Sequence, residues 1–163
     1  MQRYEPRLHR YVACLIHDPD MAHDVVQDTF IKAYRNLRSY SPKHSFSPWI
    51  YRIAHNEAMN LVKKERHSRP TDATVFPDES YDAHLDELID RSLIKEHVRS
   101  CLAQLDPKYR EIVQLLYFEG MHYSDASDVL RIPPSTVGVR LMRAKTLLRA
   151  ICRKKGVTGH ETR

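Results

Sequence analysis

With 163 residues, 42% of them hydrophobic and 29% charged, the chain suits one ordinary domain or two small ones and is too apolar for a disordered polymer. A formal charge of +5 suits a polyanionic partner, and the longest apolar run, Tyr11 to Ile16, is far too short to cross a membrane. Four glycines and few β-branched runs leave little material for sheet, so an all-α fold is expected.

Arg7 to His17 reads as the first helix, with Leu8, Tyr11, Val12, Leu15 and Ile16 on one side. The N-terminus carries no signal-peptide core, which makes the cytoplasm the expected location. Asp18-Pro19, Ser47-Pro48 and Asp106-Pro107 share one chemistry: a capping side chain ahead of a proline at the first helical position, where a missing N–H costs nothing. The first two open helices over Pro19–Arg38 and Pro48–Arg66. Between them a loop, Ser39 to Ser47, holds Tyr40, Pro42, Lys43, His44 and Phe46. Periodicity stops between Pro70 and Ala83, where prolines and the acids Asp72, Asp78, Glu79 and Asp82 mark a linker.

A further helix, about Leu85 to Leu105, leads to Asp106-Pro107 and a helix whose apolar face is Ile112, Leu115, Leu116 and Phe118, ending at Gly120. Ser124 is placed to cap a short helix carrying Ala126, Val129 and Leu130. Ile132-Pro133-Pro134 then breaks the chain before a last, basic helix from about Ser135. This is the pattern of a helix-turn-helix, which sets its second helix into the major groove of DNA. The expected layout is an N-terminal domain over 1–69, a flexible acidic linker over 70–84, a helix-turn-helix domain over 85–156 and a tail over 157–163.

Cys14, Cys101 and Cys152 are scattered and odd in number, which favours isolated thiols over a disulfide framework. Cys14-x-x-His17 with His23 is the nearest approach to a metal site and lacks the three or four converging ligands one needs. There is no phosphate-binding glycine loop, nucleophile elbow or carboxylate pair. Neither a cofactor, a metal nor a catalytic residue is expected.

Turning about 100° per residue places Ala22, Val26, Thr29, Ala33 and Leu37 inward on the helix after Asp18, and Asp24, Gln27, Asp28, Ile31 and Arg35 on its outer face. An isoleucine among acids and amides suits a protein-docking patch. On the next helix Ile50, Ile53, Ala54 and Leu61 point inward, while Arg52, His55, Asn56, Met59, Lys63 and Arg66 point out. That cationic row beside Tyr40, His44 and Phe46 suits a DNA backbone with unstacked bases. Trp49, at the edge, fits a core anchor or a stacking platform equally. On the last helix Val137, Leu141, Ala144 and Leu148 pack inward; Ser135, Val139, Met142, Arg143 and Thr146 face out, flanked by Arg140 and Lys145. Gly138 costs helix stability and offers no base-reading side chain.

These residues resemble a family. Asp18-Pro19 with Ala22-His23-Asp24-Val25-Val26-Gln27-Asp28-Thr29-Phe30 resembles the polymerase-docking helix of bacterial sigma factors. Phe46-Ser47-Pro48-Trp49-Ile50-Tyr51-Arg52-Ile53-Ala54-His55-Asn56 resembles the Phe-x-x-Trp-Leu-x-x-Ile-Ala-x-Asn block of the extracytoplasmic-function (ECF) class. Leu105 to Arg110, with Thr136-Val137-x-x-Arg140-Leu141-x-Arg143-Ala144-Lys145, resembles the second domain of that class.

The resemblance implies roles. Asp24, Gln27, Asp28 and Ile31, with Arg35 beside them, would dock on a coiled coil of the largest polymerase subunit. The loop from Ser39 to Phe46 and the start of the next helix would capture a flipped base of the melting minus-ten element, with Asn56 and Lys63 near the strand. The helix carrying Ser135, Thr136, Gly138, Val139, Arg140, Met142, Arg143 and Lys145 would read the minus-thirty-five element, and the acidic linker would thread polymerase channels. The implied partners are core RNA polymerase, promoter DNA and an anti-sigma factor, with a monomeric free protein. His23, Asn60, Asp125-Ala126-Ser127, Gly138 and Val139 depart from the common pattern. Two other readings remain: a helix-turn-helix regulator binding closed duplex, and a protein-interaction adaptor without DNA binding.

Overall fold

A computed structural model describes residues 3–16, 18–68 and 97–155, except for the side chains of 66–68. The acidic linker, the start of the helix expected from Leu85, and the Arg66 side chain lie outside the described residues. Three helices form the N-terminal half: α1 (Glu5–Leu15), α2 (Pro19–Arg35) and α3 (Phe46–Ser68), with a 3-10 turn at Leu37–Ser39. Helical residues 97–103 lead into α4 (Pro107–Val113), a π turn (Gln114–Phe118), α5 (Tyr123–Leu130) and α6 (Pro134–Lys154). The described residues hold no strand.

Two of the three proline starts form as expected. The Asp18 carboxylate accepts from the N–H groups of Asp20 and Met21, and that of Asp106 from Lys108 N–H at 3.0 Å. The third does not, because α3 begins at Phe46 and Pro48 falls within its first turn. That position tolerates proline since first-turn N–H groups have no helical acceptor. Ser124 does not cap α5 either. The helix starts at Tyr123, and the Asp125 carboxylate reaches back to the His122 N–H at 3.3 Å.

Leu8, Tyr11, Val12, Leu15 and Ile16 are all buried, as are Ala22, Val26, Thr29 and Ala33 of α2. Thr29 tolerates full burial because its hydroxyl donates to the Val25 carbonyl at 2.7 Å. Leu37 departs from the expected inner face and is half exposed: α2 ends at Arg35, and the tighter 3-10 turn rotates the next residues out of phase. Phe118 departs for the converse reason. The wide π turn, closed by Glu119 N–H to Gln114 O at 3.0 Å, slips the periodicity so that Ile112 and Leu115 stay buried while Phe118 swings out. Gly120 follows in the left-handed region at φ +67°, as its position at the end of that helix requires. Ile53 and Leu61 are half-buried rather than inward.

The two halves are packed on each other. α3 lies against α5, and α1 against α4 and the π turn. One buried apolar cluster therefore runs from Leu8, Tyr11 and Val26 through Ile50 and Ala54 to Ile112, Leu115, Val129, Val137 and Leu141.

Candidate functional site

On α2, Asp24, Gln27, Asp28, Ile31 and Arg35 are all exposed. Beside them lies an apolar groove of about 730 Å³ lined by Tyr4, Phe30, Ile31, Tyr34, Leu37 and Phe46. Tyr34 is 82% exposed and Ile31 48%, a large apolar surface for helical residues one turn apart. Tyr34 and Leu37 did not emerge from sequence reasoning. The signal for Tyr34 was its place in the stripe Gln27–Ile31–Tyr34; Leu37 had none, because its exposure depends on where α2 stops.

On the neighbouring face, Tyr40, Phe46 and Trp49 form a mutual aromatic cluster with ring centroids 5.3–5.4 Å apart, and Tyr4 packs edge-on against Phe46. The Tyr40 hydroxyl donates to the His44 carbonyl at 2.6 Å, which holds the loop closed on itself. Trp49 packs on Phe46 and lines a cavity of about 300 Å³ with Tyr40, His44 and Arg52. The far wall of that cavity is Asp125 and Asp128, from α5.

Farther along α3 the outer row is partly covered. Lys63 is exposed, but Arg52, Asn56 and Met59 are half-buried. His55 is turned to Glu111 of α4, with Nδ1 2.7 Å from a carboxylate oxygen that also accepts from the Tyr11 hydroxyl at 2.6 Å. Tyr51, one residue before Arg52, is fully buried and donates to Glu119. Arg7 adds Nε to the same carboxylate at 2.9 Å and Nη2 to the Glu119 carbonyl at 3.0 Å. Burial, then the adjoining carboxylates, pushes the Tyr11 and Tyr51 hydroxyls well above the usual tyrosine range, so both remain donors. Burial opposes the Arg7 charge, but Glu119 more than offsets it and its pKa is raised.

The α5–α6 turn is fixed by the Ser127 hydroxyl donating to the Ile132 carbonyl at 2.6 Å and by Arg131 in the left-handed conformation at φ 52°. Val137, Leu141 and Ala144 pack inward. Ser135, Val139, Met142, Arg143, Lys145 and Thr146 are exposed, while Thr136, Gly138 and Arg140 are half-buried. Lys145 Nζ sits 5.4 Å over the Tyr117 ring. A Cβ on Gly138 would lie 3.6 Å from the Tyr123 ring, an ordinary contact, so packing does not demand glycine there. Among the described residues no cluster of His, Cys, Asp and Glu is arranged to hold a metal.

One half carries an aromatic cluster and the other a helix-turn-helix, and comparison with known proteins defines the class. Residues 1–68 match sigma-70 region 2 and residues 95–148 match sigma-70 region 4. The RNA polymerase sigma-H factor of Pseudomonas aeruginosa is 31% identical over 154 residues, which cover 88% of this chain and 79% of that protein. The ECF RNA polymerase sigma factor SigW of Bacillus subtilis is 27% identical over 155 residues, covering 90% and 83%. Among solved structures, the sigma factor RpoE in complex with the anti-sigma factor NepR from Bartonella quintana matches with a TM-score of 0.79 at 22% identity, covering 93% of each chain. CnrH in complex with the cytosolic domain of CnrY matches at 0.66 and 25%, covering 94% of this chain and 84% of that one. The chain belongs to the sigma-70 family, in its ECF class. It is an RNA polymerase sigma factor, which works with core polymerase on promoter DNA at initiation.

Proposed function

We propose a division of labour among the faces of this sigma factor. The N-terminal unit, residues 1–69, docks on core polymerase through Asp24, Gln27, Asp28, Ile31 and Arg35 of α2, with Tyr34 and Leu37 supplying an apolar centre. The observation that carries this is the groove on α2: exposed Ile31 and Tyr34 beside acids and an amide form an apolar core with a polar rim, the anatomy of a protein interface.

The Tyr40–His44–Phe46–Trp49 cavity, with Arg52, His55, Asn56, Lys63 and Arg66 along α3, takes the melted minus-ten strand. Aromatic side chains stack an extruded base, and cations neutralise the phosphates flanking it. The C-terminal unit, residues 85–156, presents Ser135, Thr136, Gly138, Val139, Arg140, Met142, Arg143 and Lys145 to the minus-thirty-five element. Arginines there read guanine or neutralise phosphate, while Val139 and Met142 touch only a thymine methyl or sugar. The protein works in the cytoplasm without catalysis, cofactor or metal. Its activity is restrained by an anti-sigma partner of the kind with which RpoE was solved.

Reconstitution tests the reading. Purified protein, core polymerase and genomic DNA are mixed and transcript starts mapped; new, protein-dependent starts are expected, and none despite a folded protein would overturn it.

A further inference from the structure

The last turn of α6 packs against the helical residues 97–103 at the start of the C-terminal unit. Lys155, just past the end of α6, donates from Nζ to the Ser100 hydroxyl and to the Ser100 carbonyl at 3.4 Å. Next to Ser100 is Cys101, fully buried; three residues before Lys155 is Cys152, half-buried. Both thiols are free, and they share a hydrogen bond. Helical spacing produces the meeting. Cys152 continues the inward row of Leu141, Ala144 and Leu148 on α6, and Cys101 is buried together with Leu105 four residues on. Read from spacing, the three cysteines are isolated thiols; the fold makes neighbours of two.

Two thiols in hydrogen-bond contact on packed helices need no backbone movement to be bridged. We propose that Cys101 and Cys152 form a redox modification site, closing to an intramolecular disulfide with a low-molecular-weight disulfide of the glutathione class as oxidant, and so stapling the start of the C-terminal unit to the end of α6.

Cys152 is the point of entry, because it reaches solvent and Cys101 does not. Cys152 loses its proton, and its thiolate attacks one sulfur of the small disulfide. A mixed disulfide forms and one small thiolate leaves. The Cys101 thiol then loses its proton and attacks Cys152 Sγ, forming the internal bond and releasing the second small thiolate. Two electrons pass from the cysteine sulfurs to the small disulfide, and the two protons end on the two small thiols. Burial, then the hydrogen bond to Cys101, pushes the Cys152 pKa up to about 11, against the pull of Lys155. Thiolate is therefore scarce at neutral pH, and closure takes minutes to hours, on the order of uncatalysed exchange. A reduced thiol pool keeps the pair open and an oxidised one closes it. The exposed side chains Ser135, Val139, Met142, Arg143 and Lys145 lie toward the other end of α6, so the staple leaves them in place.

The test uses the full wild-type chain, held at pH 8 in reduced or oxidised glutathione. Samples are quenched by alkylation, mapped by mass spectrometry and melted by circular dichroism. Oxidised glutathione should join the Cys101 and Cys152 peptides within one monomer and raise the melting midpoint by about 10 °C. Dithiothreitol should reverse both changes. Cys101→Ala should stall with glutathione held on Cys152, and Cys152→Ser should leave Cys101 unmodified. Two free thiols in the folded chain after a day in oxidised glutathione, or bonds only between chains, would overturn the pairing. A joined pair with an unchanged midpoint would overturn the staple.

Discussion

Two adjacent helices were both expected to show a functional outer face, and they differ. The outer face of α2 is open: none of the described residues covers Asp24, Gln27, Asp28 or Ile31, and Tyr34 stands almost wholly in solvent. The corresponding face of α3 is partly taken up by α4, α5 and the residues after the π turn. The contrast follows from chemistry. An acidic, amide-bearing face with an apolar centre offers nothing to a C-terminal half that itself presents Glu111, Glu119, Asp125 and Asp128. A face carrying Arg7, Arg52 and His55 does. One surface is therefore left open by the fold, and the other is partly covered by the C-terminal half.

The open face yields the largest expected effect. Asp24→Lys/Asp28→Lys should weaken binding to core polymerase about 100-fold, on the order of 2.7 kcal/mol, in a titration by anisotropy. Affinity of the same variant for duplex DNA should hold, since those residues are remote from α6. Undiminished polymerase affinity would remove α2 as the docking face. Tyr34→Ala sharpens the point, with an expected loss of about tenfold if the apolar centre is buried on docking.

The covered face is probed by a thiol already in place. Cys14 of α1 faces Arg110 and Glu111, and burial pushes its pKa up to about 12. Alkylation by iodoacetamide at pH 8 should therefore be slow in the wild type and about tenfold or more faster in Glu111→Gln/Glu119→Gln, because the thiolate is the reacting species. Equal rates by mass spectrometry would mean that Cys14 is not sealed by the contact between the halves.

Smaller effects test the C-terminal half. Arg143→Ala should weaken promoter binding by a few fold and lower the salt slope by about one, as loss of one phosphate contact does. Gly138→Ala should raise stability by about 0.5–1 kcal/mol, and the melting temperature by roughly 2–4 °C, since the added Cβ meets only an ordinary contact. The smallest effect is on pH. Burial, then neighbouring His23, holds the His9 pKa below its ordinary value. The folded chain therefore binds fewer protons than the unfolded one, and stability falls as pH drops through about 6.5. His9→Gln should flatten that fall in a series of thermal melts.

Much of this was legible in the sequence because local chemistry wrote it. Capping acids before prolines marked the starts of α2 and α4, and helical periodicity marked the inward rows of α1, α2 and α6. Failures fell where phase slips: at the 3-10 turn that exposes Leu37 and the π turn that exposes Phe118. Glu111 and Glu119 were invisible for a different reason. An acid in a helix of mixed composition reads as a solvated residue, and only the tertiary approach of Arg7, Tyr11, Tyr51 and His55, at separations of 56 to 112 residues, makes it a buried anchor. The cavity shared by Trp49 and Asp128 was hidden likewise, since its walls come from α3 and α5.

The distance between the halves tests their packing and their separate places on the promoter most directly. Spin labels introduced as non-canonical residues at Asp20 and Arg149, both exposed, would be read by pulsed dipolar spectroscopy in the free protein and in its complex with core polymerase and promoter DNA. Halves that pack as described when free and take separate elements when bound give one narrow, short distance in the free chain and a lengthening of tens of ångströms in the complex, about the scale that two separated promoter elements demand. The same distance in both states, or a broad long distribution in the free chain, would contradict that account.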